Sequence, residues 1–298
     1  MMGSPTRTCA GPPISYAAAL RWIAARQSEE GDQVNPLART RLLTHGSRVE
    51  CAIVLLHGYT SSPAQFHALG NLLHEHGCNV LIPRAPHHGL ADRMTRDLAR
   101  LDEAELLTFV DDALEMARGL GERLVVAGLS MGGLLAAWAA QERADVARAV
   151  LIAPGIGFGA VPAAITPLAG RLARTLPNVY LWWDPVLKDR APGPRHGYPR
   201  YATRPLGHIL RISRRLQARA AERAPAAGAI AVITNACDRT VDNAATARLV
   251  RLWRAHGAQV STHEFPAELD LPHDLIDPAQ PRQRLELVYP TLLHCFAV

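Results

Sequence analysis

Gly128-Leu129-Ser130-Met131-Gly132 sets a serine between two glycines where an apolar run, Leu124-Val125-Val126-Ala127, gives way to a helix-forming stretch, Leu134-Leu135-Ala136-Ala137-Trp138. A serine hydroxyl is a poor nucleophile until it is exposed, aimed and paired with a base, and a sharp strand-to-helix turn does the first two. The flanking glycines suit such a turn because the chain passes too close to its neighbours to leave room for a Cβ, and Gly133 adds clearance. A chance Gly-x-Ser-x-Gly in a loop is disfavoured by the strand before and the helix after. The pattern predicts a nucleophile elbow with Ser130 at its tip.

Such a nucleophile needs a base, an acid that orients the base, and donors for a developing oxyanion. Upstream, Ala52-Ile53-Val54-Leu55-Leu56 reads as a buried strand running into His57-Gly58-Tyr59-Thr60. A helix is expected to open at Ser61-Ser62-Pro63, with a capping hydroxyl and then proline in the first turn. The loop between them is the place for one oxyanion donor, so the backbone amides of Tyr59 and Met131 are the expected pair. Downstream, the strand pattern Ala229 to Thr234 ends at Asn235-Ala236-Cys237-Asp238, and the pattern Val260 to Phe265 leads to Leu271-Pro272-His273-Asp274. Asp238 leaves its strand where the orienting acid is needed. Asp242, four residues on, precedes a helix start and reads as its cap. His273, in the loop after the last strand, is the expected base. Asp274 beside it diverges from the imidazole, and Asp277 before Pro278 reads as a turn or cap.

The order Ser130, Asp238, His273 is that of the α/β-hydrolases, not of the chymotrypsin or subtilisin groups. Through Leu56-His57-Gly58-Tyr59-Thr60, Gly128 to Gly133, Asp238-Arg239-Thr240-Val241-Asp242 and Pro272-His273-Asp274, the chain resembles α/β-hydrolase fold serine hydrolases. It is similar to small bacterial carboxylesterases and monoacylglycerol lipases from about residue 40 onward. The resemblance implies a cofactor-independent hydrolase acting on a small-molecule ester through an acyl-enzyme on Ser130. Lipase, thioesterase, acyl amidase or peptidase, and a non-catalytic receptor on the same fold are the alternatives. Ala85-Pro86-His87-His88-Gly89 departs from the simpler Pro-Gly-His-Gly turn of many relatives.

Strand and helix patterns alternate: Ala52 to Leu56, a helix from Pro63, Asn79 to Ile82, a helix from Glu103 to Met116, Leu124 to Ala127, a helix from Met131, and Ala149 to Ile152. This predicts an α/β fold with a mostly parallel, doubly wound sheet in one domain over residues 1–298. After Ala153-Pro154-Gly155 the alternation breaks, and no strand returns until Ala229. The insertion, residues 155–228, resembles a helical cap over the nucleophile and holds Phe158, Pro162, Pro167, Tyr180, Trp182, Trp183, Pro185, Tyr198 and Tyr201. The plainer alternative is a surface excursion that its aromatics anchor. Phe158, Trp182 and Trp183, with His57 and His88, are the expected substrate contacts, His57 being first of all a brace for its loop. The insertion shows no cluster of charges to hold a phosphate or a coenzyme, so neutral esters of short-to-medium chains are expected.

His87 and His88 invite a metal reading, but no Cys, Asp or Glu accompanies them at ligand spacing, and no metal is expected. His74 and His76 fall at a helix end before Gly77, where the dipole favours them. The net charge of +5 is arginine, Lys188 being the only lysine. Arg211, Arg214, Arg215 and Arg219 have helical spacing and no interleaved aromatics, so they read as a solvated helix face and not as a nucleic-acid footprint. Five cysteines with no close pairs suggest reduced thiols in a cytoplasmic protein. The amino terminus, Met1 to Thr8, has no apolar run after its charge, and no later stretch is long enough for a stable membrane anchor. Tyr16 to Ala25 is expected to form a short helix with Trp22 and Ile23 facing in.

Overall fold

The computed structural model describes residues 14–160 and 165–297. The leader reading at Met1 to Thr8 and Pro162 of the insertion lie outside these residues. The frame is a seven-stranded sheet in the order β1-β3-β2-β4-β5-β8-β9, built from β1 (Arg41–Leu43), β2 (Val49–Leu56), β3 (Asn79–Ile82), β4 (Gly121–Leu129), β5 (Val146–Ile152), β8 (Ala229–Asn235) and β9 (Val260–Phe265). Only β1 runs antiparallel, against β3; all other neighbours are parallel.

The central strands read as unbroken apolar runs because helices cover both faces. In β2, Ala52, Val54 and Leu56 enter the core under α1 (Tyr16–Ser28), α3 (Glu103–Ala117), α4 (Met131–Glu142), α6 (Thr203–Glu222) and α7 (Asn243–Ala255). Its alternate residues Ile53 and Leu55 enter the opposite core with α2 (His67–Glu75) and α8 (Leu285–Phe296). Ile23 of α1 is buried and Trp22 packs half-buried against the same core. Each parallel pair ends at the same edge of the sheet, so the loops after β2, β4, β8 and β9 gather there. This is where α/β sheets place their ligands.

Between β5 and β8 the chain forms α5 (Thr166–Thr175) and a small antiparallel pair, β6 (Tyr180–Trp182) with β7 (Arg200–Ala202), before α6. The last part of the expected insertion is sheet-flanking in character. Ile209, Ile212 and Leu216 of α6 are buried in the main core, so this helix completes the crossover from β5 to β8. Its arginines are not merely solvated. Arg211 and Arg215 pair with Glu103, Arg219 pairs with Glu142, and Arg215 and Arg219 lie 5.0 and 4.8 Å from the Trp138 ring centroid. Among the described residues Cys51, Cys78, Cys237 and Cys295 are free thiols, and no helix is long and apolar enough to cross a membrane.

Candidate active site

Ser130 stands between β4 and α4 at φ 58° and ψ −114°, a left-handed conformation that a residue with a Cβ holds only when its surroundings impose it. The surroundings are specific. Its amide donates to Ile152 O of β5 (3.0 Å), and its carbonyl accepts from Leu134 N (2.9 Å) and Gly155 N (2.8 Å). A Cβ on Gly128 would run into the Gly132 carbonyl, and a Cβ on Gly132 would run into Leu56 O, so each glycine answers a steric demand. Met131 opens α4, and the first-turn amides of a helix have no partner one turn back.

Asp238 and His273 come from different strand ends and meet at 2.6 Å, Asp238 Oδ2 to His273 Nδ1. The other oxygen, Oδ1, accepts from Thr240 N (2.8 Å) and Val241 N (3.3 Å). Burial acts to raise the Asp238 carboxyl, but the His273 contact and the two amides outweigh it and hold it below the usual aspartate value. An ionised Asp238 keeps the proton of the neutral ring on Nδ1 and leaves Nε2 free to accept one. Asp242 instead caps α7, accepting from Ala244 N (2.9 Å) and Ala245 N (3.1 Å).

Ser130, His273, Gly58 and Tyr59 all line one cavity of about 600 Å³. Phe158 and Trp183 form part of its apolar wall. Several contacts tie the segment from β6 to β7 to the Gly58-Tyr59-Thr60 loop. Trp183 Nε1 donates to Thr60 Oγ1 (2.9 Å), Tyr198 N donates to Thr60 O (2.8 Å), and the Tyr59 hydroxyl donates to Ala202 O (2.7 Å). The Ser62 hydroxyl, expected to cap the helix at Pro63, makes no cap bond and lies 3.0 Å from His196 Nδ1, whose Nε2 is 2.8 Å from Asp277 Oδ2.

One residue at this site carried no motif. Gln65, buried under the loop, accepts from Gly58 N through Oε1 (2.8 Å) and donates to Asp274 Oδ2 through Nε2 (2.8 Å). It bridges the loop after β2 to the loop that bears His273. Asp274 also accepts from Gln280 Nε2 and the amides of Ile276 and Asp277. Burial, then the nearby Asp277 charge, raises the Asp274 carboxyl. A glutamine in a helix-opening stretch gives no sequence signal for this role, because its second partner, Asp274, is 209 residues away in the chain.

Three expected substrate contacts lie elsewhere. His57 is fully enclosed behind the loop, its Nδ1 donating to Gly58 O (3.0 Å) and its Nε2 accepting from Ala85 N (3.1 Å); burial lowers its pKa to about 4. His88 is also buried, with Nδ1 on Pro86 O (2.7 Å) and its ring 5.1 Å from that of His57, so neither lines the cavity. The preceding residue, His87, has a left-handed backbone (φ 63°). Trp182, the last residue of β6, is absent from the cavity wall, whereas Trp183, which follows the strand, is part of it, as adjacent side chains of an extended chain face opposite sides. His87 meets Asp97 (2.7 Å) and Glu105 (3.0 Å), but on opposite ring nitrogens, an arrangement one ion cannot share. Among the described residues no cluster suits a metal.

A strained serine and an imidazole oriented by a buried carboxylate on one cavity, with a helix-start amide next to the serine, are the parts that nucleophilic acyl transfer uses. The thermostable monoacylglycerol lipase of Bacillus sp. (strain H-257) is 28% identical over 133 residues, 43% of this chain; the chain spans about half the length of that relative (49%). Among solved structures, one reported for the metagenome-derived lipolytic enzymes LipS and LipT superposes with a TM-score of 0.64 at 19% identity, covering 89% of this chain and 100% of that one. A soluble variant of monoglyceride lipase from Saccharomyces cerevisiae superposes at 0.62 and 16% identity, covering 86% and 89%. Residues 53–279 match the model of the alpha/beta hydrolase family. With that match lying on a sheet of this topology, the chain belongs to the alpha/beta hydrolase family, and lipases and esterases are among its structural neighbours.

Proposed function

We propose that the protein is a serine carboxylic-ester hydrolase acting on short-to-medium-chain esters through an acyl-enzyme on Ser130. The observation that carries the reading is the 2.6 Å Asp238–His273 contact on the cavity that Ser130 also lines. His273 Nε2 takes the Ser130 proton as Oγ attacks the ester carbonyl, and Asp238 stabilises the imidazolium that forms. The amides of Tyr59 and Met131 hold the tetrahedral oxyanion. The imidazolium then protonates the leaving alcohol. Water, activated by the same histidine, releases the acid and restores Ser130. Residues 155–202 act as a cap, with Phe158 and Trp183 against the acyl chain.

The relative from Bacillus favours a monoacylglycerol as one such ester, a second reading within the same chemistry. The test is turnover of p-nitrophenyl esters by wild type and Ser130→Ala. Steady turnover by wild type, a loss of several orders of magnitude in the variant and labelling of Ser130 by a fluorophosphonate are the expected results. A correctly folded Ser130→Ala protein with near-native turnover would sink the mechanism, and a single stoichiometric release without turnover would favour a receptor.

A further inference from the structure

The cavity beside Ser130 has apolar walls, yet three cationic residues line it: Arg93, Lys188 and Arg239, from three separate segments. Arg93 is the best defined. It is half-buried, and its Nε donates to the carbonyl of Gly197 (2.8 Å), itself a lining residue next to the Tyr198 amide that bonds Thr60 O. That bond uses one of the five donors of the guanidinium. Four half-buried arginines elsewhere have acidic partners, Arg84 with Glu30, Arg118 with Glu115, Arg143 with Asp145 and Arg219 with Glu142, whereas Arg41, Arg148, Arg174 and Arg200 bond amide or carbonyl oxygens and do not line this cavity. Among the described residues no carboxylate pairs with Arg93, Lys188 or Arg239. Asp274, the one carboxylate on the wall, already accepts from Gln65, Gln280 and two backbone amides.

Burial, then the like charge of Arg195, lowers the Arg93 pKa, and the Asp189 charge offsets this only in part. An unpaired charge withdrawn from water is costly to the folded chain, and such groups concentrate where a ligand supplies the counter-charge. The Nη edge of a guanidinium suits two oxygens of a carboxylate or phosphate, and the two further cations reinforce the field inside apolar walls.

We propose that this cavity selects carboxylic esters that carry an anionic group, a carboxylate or phosphate, a short apolar stretch away from the scissile carbonyl, with Arg93 as the residue that grips the anion. The proposal rests on the ester-hydrolase reading and changes the expected charge of the substrate. Sequence inspection of the insertion alone favours neutral esters because it contains only Lys188 of the three; Arg93 and Arg239 arrive from the loops after β3 and β8.

Two matched pairs test it in wild type, Arg93→Gln and Arg93→Lys at low salt. Mono-p-nitrophenyl glutarate against p-nitrophenyl valerate places a carboxylate on the acyl side, and butyrylglycerol phosphate against monobutyrin places a phosphate on the alcohol side. Within each protein the neutral ester is the internal reference, so a general loss of activity cancels in the ratio. Wild type should favour the anionic member of at least one pair on the order of tenfold in kcat/KM, the scale of a charge-assisted hydrogen bond. The ratio should fall to about one in Arg93→Gln, stay partly raised in Arg93→Lys and shrink at high salt. Which pair responds identifies the kind of anion and its side. Equal or better turnover of both neutral members by wild type, or an anionic preference undiminished in Arg93→Gln, overturns the proposal alone. Failure of wild type to turn over any of the four esters overturns the ester-hydrolase reading and this proposal with it.

Discussion

Replacing Gln65 by leucine removes two buried hydrogen bonds at once while keeping the volume close. Gly58 N–H, bonded at 2.8 Å in the native chain, is left without an acceptor, and Asp274 loses the 2.8 Å donor on Oδ2. An unsatisfied buried amide costs about 1–3 kcal/mol and a lost bond to a charged group about 1.5–3 kcal/mol, so the variant should lose roughly 3–5 kcal/mol of stability. In a chain of this size that is a Tm lower by on the order of 10 °C. The kinetic effect is separate. Gln65 touches no reacting atom, but it holds the Tyr59 amide and the His273 loop in one frame, and a displacement near 1 Å between such groups costs up to roughly 100-fold in rate. With active sites counted by fluorophosphonate titration, kcat per site in Gln65→Leu should fall about 10- to 100-fold with little change in KM. Gln65→Glu supplies the control. A protonated glutamic acid can accept from Gly58 N and donate to Asp274, whereas its ionised form faces a carboxylate already raised by burial and by Asp277. This variant should therefore keep most of its kcat at acid pH and lose it as pH rises, relative to wild type. Native kcat per titrated site in Gln65→Leu, with only Tm lowered, would refute the positioning argument.

Asp238→Asn should cut turnover by roughly 10³- to 10⁴-fold at unchanged fold, while Asp242→Asn should cost about 1 kcal/mol of stability through the α7 cap; a reversed kinetic order would exchange their roles. Trp183→Ala should shift the acyl-length optimum along a p-nitrophenyl ester series and raise KM, by about fourfold for each methylene left unburied, and Trp182→Ala should leave the profile unchanged; equal profiles in Trp183→Ala and wild type would remove Trp183 from the acyl pocket. The His57 pKa, lowered by burial from 6.5 to about 4, means that the folded state binds fewer protons than the unfolded chain between those values. Its stability contribution is full above pH 6.5 and is lost as pH falls toward 4, by about 3 kcal/mol at most. Thermal melts should therefore drop across that window and drop less in His57→Gln; parallel curves would mean that His57 contributes nothing to acid sensitivity.

The parts of this molecule legible in the sequence are those set by local chemistry. The apolar runs at Ala52, Leu124, Ala149 and Ala229 must become strands buried on both faces, and Gly128 and Gly132 admit Ser130 to a turn that a Cβ would block. Asp238 and Asp242 separate because one leaves a strand and the other precedes a helix. Short or edge elements were not legible: β1, β6 and β7 have three residues each, too few to show a period, and α6 flanks the sheet because Ile209, Ile212 and Leu216 bury in a core built from distant segments, with Glu103 and Glu142 receiving its arginines. Tertiary structure alone decided which side chains face the cavity. His57 is held behind the loop by Gly58 O and Ala85 N and His88 by Pro86 O, Trp182 at the end of β6 stays off the wall that Trp183 helps to form, and Ser62 gives up a helix cap for His196. Gln65, Arg93 and Arg239 acquire their surroundings only when loops from different strands meet at one edge of the sheet. Sequence specifies what each residue can do within a few positions of itself, whereas long-range contacts decide which of those capacities converge on one volume.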